Sequence, residues 1–85
     1  MKRNVLITGA VGGIGKSICM SLSKKYNLIL VGRNKSKLDS FLKDHQSVIK
    51  RITCDLRDKA EIKKIYESIV NDELRIDILI NNAGI

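Results

Sequence analysis

The sequence is poor in the residues on which several protein classes depend. It has two cysteines, no proline, no tryptophan, two tyrosines and one phenylalanine in 85 residues. Cys19 and Cys54 are too few for a disulfide framework, and they lack the Cys-x-x-Cys spacing of a metal site. We expect both to be small buried side chains in a protein of a reducing, cytoplasmic compartment.

Long hydrophobic runs are also missing. A membrane span requires about 18 consecutive apolar residues, whereas the first apolar run, Val5-Leu6-Ile7, stops at Thr8-Gly9. The same stop excludes the apolar region of a signal peptide. Because the hydrophobic and charged fractions, 44% and 29%, are those of an ordinary globular protein, we expect one small domain without a membrane partner.

Acidic side chains are outnumbered, with nine Asp and Glu against sixteen Lys and Arg and a net charge of +7. Such an excess invites a nucleic-acid interpretation, but the few aromatic residues leave little for stacking on bases. Solvated lysines on helix faces are the alternative. We favour this alternative and expect no nucleic-acid partner, since lysines are spread over the predicted helices at Lys24, Lys25, Lys37, Lys43, Lys63 and Lys64.

Short apolar runs alternate with segments of helical periodicity. The runs predict buried strands at residues 4–8, 28–31, 48–53 and 76–80, the third more polar at Lys50-Arg51, as an edge strand would be. The first helix is predicted over residues 13 to about 25, and Tyr26-Asn27 ends it because asparagine tolerates the left-handed conformation. The predicted inner faces of the three helices hold Ile14, Ile18 and Leu22; Leu38, Phe41 and Leu42; and Ile62, Ile65, Ile69 and Val70.

The starts of the second and third helices have their own signals. Asn34 or Ser36 can cap the second helix through its side-chain oxygen. Asp58 and Glu61 form a pair resembling a capping box at the start of the third, with Asp in place of Ser or Thr. Each predicted helix therefore lies between two predicted strands.

The order β-α-β-α-β-α-β predicts an α/β fold with a parallel sheet, because each crossover returns the chain to the same end of the sheet. Right-handed crossovers with the first strand in the centre give the strand order 3-2-1-4, a partial Rossmann fold. The turns after the strands then meet at one edge of the sheet. Ligands of doubly wound folds bind at this edge.

A glycine-rich turn follows the first predicted strand at residues 8–15, TGAVGGIG. A phosphate at a helix N-terminus needs free N–H groups and a backbone without Cβ atoms in the way. Gly9 would permit the sharp exit from the strand, Gly13 close access to a pyrophosphate, and Gly15 packing of the helix on the sheet. The strict G-x-G-x-x-G pattern is absent, and a flexible loop without a ligand is the alternative.

Four motifs together resemble the short-chain dehydrogenase/reductase family. They are TGAVGGIG, Gly32-Arg33-Asn34, Cys54-Asp55-Leu56 and NNAG (Asn81-Asn82-Ala83-Gly84), which follow the four predicted strands in the family's order. The doubled glycine pattern leaves the classical and extended branches open, and NNAG favours the classical one. The resemblance implies a cofactor site made of Gly9, Val11, Gly12, Gly13, Ile14, Gly15, Arg33, Asn34, Asp55, Leu56, Asn82, Ala83 and Gly84.

The resemblance also implies roles for individual residues. The Asp55 carboxylate would accept a hydrogen bond from the adenine amino group beside the Leu56 backbone, although a turn or helix cap is an alternative for Asp55. The segment from Asn82 to Gly84 would pass under the cofactor riboses. Asn81 is expected to tie neighbouring strands together through its amide.

Arg33 indicates which dinucleotide the site would prefer. Sites for NAD place an Asp or Glu after the second strand to bind the ribose 2′-hydroxyl, and here Gly32 is followed by Arg33. A guanidinium binds a 2′-phosphate through forked, charge-assisted hydrogen bonds, and Lys37 could add to them. We therefore predict NADP(H) as the cofactor over NAD(H); the alternative is that Arg33 is a solvated surface residue.

The family's catalytic Tyr-x-x-x-Lys pair is not in the sequence, since Leu30 and Val70 stand four residues after Tyr26 and Tyr66. No other catalytic group or metal cluster is apparent, and His45 is expected to be solvated. The resemblance thus implies that residues 1–85 are the truncated cofactor-binding half of an NADPH-dependent carbonyl reductase, of 3-oxoacyl type, that transfers hydride from NADPH.

Several expectations follow from that interpretation. The carbonyl substrate would bind only with a missing C-terminal region, so the fragment alone should be inactive. Its fourth strand would be an exposed edge and its helices would show apolar stripes, so we expect the fragment to be weakly stable, aggregation-prone or dependent on a complementary chain. A homo-oligomer is an expectation for the completed protein only. A non-catalytic dinucleotide-binding module and a gene remnant without function stay open as alternatives.

Overall fold

The computed structural model describes residues 2–83 of the chain, which form a parallel sheet with helices on both faces. The sheet has four strands in the order β3-β2-β1-β4, so the predicted α/β fold and strand order are confirmed. In chain order the elements are β1 (Asn4–Thr8), α1 (Gly13–Leu22), β2 (Asn27–Gly32), α2 (Lys35–Ser40), β3 (Val48–Thr53), α3 (Lys59–Asn71) and β4 (Ile78–Asn81).

The core lies on both faces of the two central strands. Alternate residues of β1 point to opposite faces, so Val5 and Ile7 pack against α1 and α2 while Leu6 packs under α3. β2 is divided in the same way and is fully buried from Leu28 to Val31. This double burial explains why both strands are continuous apolar runs rather than alternating ones.

β3 contains one irregular residue, after which its side chains point to the opposite faces of the sheet. Leu28 pairs with Val48 and Ile29 with Lys50, so Ile49 is the extra residue of a bulge. Beyond it the Arg51 guanidinium donates to the carbonyls of residues at the end of α2, among them Phe41 at 2.6 Å and Leu42 at 3.0 Å. The edge position predicted from the polar residues is confirmed, and Arg51 uses it to anchor α2.

The first helix is shorter than its periodicity predicts. It ends at Leu22, where the Ser23 N–H donates to the Cys19 carbonyl. The prediction that Asn27 ends the helix in the left-handed conformation was wrong, because Asn27 begins β2. Its N–H donates to the Arg3 carbonyl and its amide to the Asn4 side chain, and sheet pairing therefore determines its conformation.

The third helix is capped by Asp58, whose carboxylate accepts from the Ala60 N–H at 2.9 Å. The second half of the predicted capping box is wrong, since the Glu61 carboxylate pairs with Lys64 at 2.5 Å. The apolar face is also narrower than predicted. Ile65 and Ile69 pack on the core, whereas Ile62 and Val70 are exposed.

β4 begins at Ile78, two residues later than the apolar run at 76–80 predicts, because Ile76 belongs to an irregular segment packed under α3. Within the described residues β4 pairs with β1 alone. Its Leu79 side chain lies on the α3 face of the sheet and is 65% exposed. No helix among residues 2–83 has the length and apolar character that a membrane crossing requires.

Candidate functional site

A cavity of about 560 Å³ lies at the edge of the sheet where the parallel strands end. Segments that follow all four strands contribute to its lining, as expected of a doubly wound sheet. Every predicted site residue among those described lines this cavity except Gly15, which is buried beneath it, and Gly84 lies outside the described residues. The lining is Gly9, Val11, Gly12, Gly13, Ile14, Val31, Gly32, Arg33, Asn34, Lys37, Cys54, Asp55, Leu56, Arg57, Asn82 and Ala83.

The exit from β1 depends on Gly9. Its φ of +65° lies in the left-handed region that glycine adopts without a steric cost. A Cβ at this position would lie 3.0 Å from the Ala83 Cα atom. Both the backbone conformation and the close approach of the segment after β4 therefore require glycine here.

Gly15 and Gly13 have different surroundings, although both lie in the first turn of α1. A Cβ on Gly15 would overlap the Gly9 carbonyl oxygen and would lie 2.9 Å from the carbonyl carbon. Gly15 thus allows α1 to pack against the turn rather than against the sheet, which corrects the predicted role. A Cβ on Gly13 would meet no protein atom within 4 Å, so the backbone of Gly13 is open to the cavity.

The N-terminus of α1 is left available to an anion. Its N-cap is Gly12, with no side chain accepting from the helix and no acidic residue in the first turn. The first N–H groups of an α-helix have no partner inside the helix and carry partial positive charge. This end of α1 lines the cavity at Gly13 and Ile14, where a phosphate group would satisfy those donors.

Thr8 holds the turn and the segment after β4 together. Its hydroxyl donates to the Asn81 side-chain oxygen at 3.1 Å and accepts from the N–H groups of Asn82 and Ala83, both at 3.1 Å. The Asn82 amide in turn donates to the Gly9 carbonyl at 3.3 Å. Asn81 contacts the neighbouring strand as predicted. The central role of Thr8 was missed, although its position directly before Gly9 is a visible signal.

Three cationic side chains lie around the cavity. Arg33 follows β2 directly and is exposed, and Lys37 is the third residue of α2. Asn34 is the N-cap of α2, with its side-chain oxygen accepting from the Lys37 N–H at 3.0 Å. The third cation is Arg57, which sequence reasoning missed. Arg57 and Arg33 also line a second, smaller cavity that adjoins Asp55.

Asp55 is held by Arg57 through a two-point ion pair. The guanidinium donates to one carboxylate oxygen at 3.0 Å and to the other at 2.9 Å, and the Arg57 N–H adds a third bond at 3.0 Å. These bonds, the guanidinium's foremost, lower the pKa of Asp55 to about 2 from its ordinary 3.8, and the charges of Arg57 and Arg33 act in the same direction. The carboxylate is therefore ionised at neutral pH.

The substitution Arg57→Ala is expected to raise the pKa of Asp55 toward its ordinary 3.8. The pKa of Asp55 is lower in the folded state than in the unfolded chain. The ionised carboxylate therefore contributes to stability above pH 3.8, and this contribution is lost as the pH falls toward 2. The Asp55 carboxyl carbon, followed by NMR during an acid titration of both proteins, measures this shift. An unchanged midpoint in the variant would contradict the ion pair.

The remaining candidate residues lie outside the site or have other contacts. His45 is exposed and its Nδ1 atom accepts from the Ser47 N–H at 3.1 Å. Tyr66 is exposed on α3, and Tyr26 packs against the core. Both cysteines are free and buried, as predicted. Among the described residues, no group of three or more His, Cys, Asp or Glu side chains is placed to hold a metal ion.

Comparison with known proteins is consistent with this arrangement. The model of the short chain dehydrogenase family matches residues 3–85. A 3-oxoacyl-(acyl-carrier-protein) reductase of Thermotoga maritima is 34% identical over 84 residues, which cover 94% of this chain and 34% of that protein.

Two solved structures with bound cofactors are similar in sequence and fold. A 4-hydroxyisoleucine dehydrogenase complexed with NADH is 30% identical with a TM-score of 0.85, over 99% of this chain and 35% of that one. ElxO with NADP bound is 34% identical with a TM-score of 0.82, over 100% of this chain and 36% of that one. The chain thus spans about a third of the length of the proteins it matches, and these neighbours include both dinucleotides.

Proposed function

Because the chain belongs to the short-chain dehydrogenase family, we propose that its cavity binds a nicotinamide dinucleotide and prefers NADP(H) to NAD(H). The observation that carries this proposal is the cavity itself, in which the uncapped start of α1 and the Arg33 guanidinium line the same space. One group suits a pyrophosphate and the other a 2′-phosphate. A dinucleotide phosphorylated on its adenosine ribose carries both.

The turn and α1 support the pyrophosphate part of the proposal. A bound pyrophosphate would accept hydrogen bonds from the N–H groups at the start of α1, close to Gly13, where no Cβ intervenes. The segment at Asn82 and Ala83, fixed by the Thr8 hydroxyl, would form the wall beside the riboses. The open backbone at Gly13 and the uncapped start of α1 are the features that fit this group.

The charge around the cavity supports the preference for a 2′-phosphate. Arg33, Lys37 and Arg57 line the cavity, against one carboxylate, Asp55. A lone carboxylate after β2 would repel a 2′-phosphate, and the residue there is Arg33. We propose that the Arg33 guanidinium makes charge-assisted hydrogen bonds to the phosphate and that Lys37 adds its charge.

For the whole protein we propose an NADPH-dependent carbonyl reductase of 3-oxoacyl type, of which residues 1–85 supply the cofactor half. When bound, the cofactor supplies hydride to a ketone or aldehyde. The Tyr-x-x-x-Lys pair is absent from these residues, so we expect the chain alone to bind the cofactor without turning over a carbonyl substrate. The two buried thiols support a reducing, cytoplasmic location.

The substitution Gly13→Ala tests the proposal without threatening the fold. A methyl group there meets no protein atom within 4 Å, and alanine favours a helix by up to about 1 kcal/mol over glycine. We expect unfolding temperature to stay or rise while affinity for NADPH falls about tenfold or more, because misfit at a close contact costs about 1–3 kcal/mol.

Fluorescence anisotropy of NADPH and NADH measures both affinities directly, since the reduced nicotinamide is itself fluorescent. The natural chain should bind NADPH saturably and more tightly than NADH. Failure of the folded chain to bind either dinucleotide would refute the proposed function. Unaltered NADPH affinity in Gly13→Ala would show that the pyrophosphate does not lie at the start of α1.

A further inference from the structure

We propose that Arg57 sets the preference for NADP(H) by neutralising Asp55, so that this carboxylate does not repel the 2′-phosphate held by Arg33. The inference rests on the proposed function and extends it to a residue beyond the glycine turn and the end of β2. Arg57 acts through Asp55 and is therefore a positioning residue for the charge of the site.

The geometry of the pair supports this role. Both carboxylate oxygens of Asp55 accept from the Arg57 guanidinium, at 3.0 and 2.9 Å. Two parallel bonds of this kind hold a guanidinium and a carboxylate in one plane. The Arg57 backbone N–H bonds the same carboxylate at 3.0 Å, so three hydrogen bonds within one turn join the two residues.

The position of the pair relates it to the 2′-phosphate site. Arg33, Asp55 and Arg57 line the main cavity and also share the lining of the smaller one. The Arg33 charge is near enough to contribute to the lowered pKa of Asp55, after the larger effect of Arg57. A phosphate bound by Arg33 would thus lie in the same cavity as the Asp55 charge.

A role in stability alone would be small. The Arg57 and Asp55 side chains are 73% and 34% exposed, and exposed ion pairs contribute little to folding. The effect on a doubly charged phosphate is larger, because two negative charges interact with the uncompensated carboxylate. Removal of Arg57 should therefore weaken the binding of NADP+ measurably and leave the unfolding temperature almost unchanged.

The experiment is a calorimetric titration of the full chain with NADP+ and with NAD+. In Arg57→Ala we expect the ratio of the two affinities to fall roughly fivefold, mainly through weaker NADP+ binding. Arg57→Lys, which keeps the charge, should stay within about twofold of the natural ratio. The double variant Asp55→Asn with Arg57→Ala should recover the natural ratio, because both members of the pair are then neutral.

Arg75→Ala is the matched control. Arg75 pairs with Asp77 at 2.9 Å and is again two residues from its partner. This pair lies next to Asn4, at the end of the sheet where β1 begins and away from the cavity. This variant loses the same charge and also breaks an Arg–Asp ion pair, and its affinity ratio should not change. A fall in the ratio equal to that of Arg57→Ala would overturn the inference, because only net charge would then matter.

The outcomes separate this inference from the function on which it rests. If the natural chain binds neither dinucleotide, both are overturned. If the natural chain prefers NADP+ but Arg57→Ala leaves the ratio unchanged, only the role of Arg57 is overturned. If the double variant keeps the lowered affinity ratio of Arg57→Ala, Arg57 contacts the phosphate itself and neutralisation of Asp55 is refuted.

Discussion

The substitution Gly15→Ala is expected to destabilise the protein more than any other change of similar size. The added Cβ would overlap the Gly9 carbonyl oxygen and lie 3.0 Å from the Asn82 Nδ2 atom. Neither neighbour can move freely, because the Gly9 carbonyl already accepts from the Gly12 N–H and from the Asn82 amide. Overpacking of this kind costs about 3 kcal/mol or more, a large share of the ~5–15 kcal/mol that stabilises a typical domain.

Chemical denaturation followed by circular dichroism measures this loss as a lower midpoint. Gly13→Ala is the matched control, since it adds the same methyl group two residues earlier in the same helix, where nothing lies within 4 Å. Comparison of the two variants distinguishes the cost of the clash with the turn from any general effect of an alanine in α1. Equal midpoints in the two variants would contradict the close packing of Gly15 on Gly9.

The substitution Arg33→Asp is expected to invert the choice of cofactor. The natural guanidinium lines the cavity, where we propose that it binds the 2′-phosphate, while an aspartate would repel the phosphate and offer acceptors to the 2′-hydroxyl of NAD. Loss of a hydrogen bond to a charged group costs about 1.5–3 kcal/mol. With the added repulsion we expect NADP+ affinity to fall about a hundredfold, while NAD+ affinity stays or rises.

Titration calorimetry with each dinucleotide measures this inversion. The control is Lys35→Asp, which makes the same change in net charge at a residue of α2 that is outside the cavity lining. Lys35 pairs with Asp39 at 2.6 Å on the exposed surface, so its loss should leave the affinity ratio within about twofold. An Arg33→Asp protein that still prefers NADP+ would show that Arg33 is only a solvated residue.

The fold could be predicted largely because both faces of the central strands are covered. Double burial makes β1 and β2 continuous apolar runs, and the alternation with helices then determines a parallel sheet. Element ends were predicted less well. Asn27 is ambiguous in sequence, since asparagine suits both a helix end and a strand start, and its contacts with Asn4 decide between them.

Other features depend on contacts that no periodicity reveals. The bulge at Ile49 reverses the faces of β3, so the pattern of Lys50-Arg51 predicts an edge strand but not the anchoring of α2 by Arg51. On α3, Ile62 has the right spacing for the core and is nevertheless 45% exposed. The face of α3 that contacts the sheet is narrower than the row of apolar side chains along this helix.

The candidate site shows the same division. A backbone conformation that requires glycine is visible in the sequence, so the position of Gly9 predicts the strand exit that its φ of +65° confirms. Contacts made by side chains in the turns leave no such signal in the sequence. The ion pair of Arg57 with Asp55 depends on the conformation of the turn after β3, and the Thr8 hydroxyl finds its partners only when β4 lies beside β1.

The central claim is that α1 and Arg33 together form the receptacle for the phosphorylated adenosine end of NADP(H). Amide chemical shifts of the ¹⁵N-labelled chain, titrated with NADP+ and with NAD+, test it most directly. We predict saturable shifts at Gly12, Gly13 and Ile14 with both dinucleotides, and shifts at Arg33 and Asn34 that are much larger with NADP+. Equal shifts at Arg33 with both dinucleotides, or shifts that avoid the start of α1, would contradict the account.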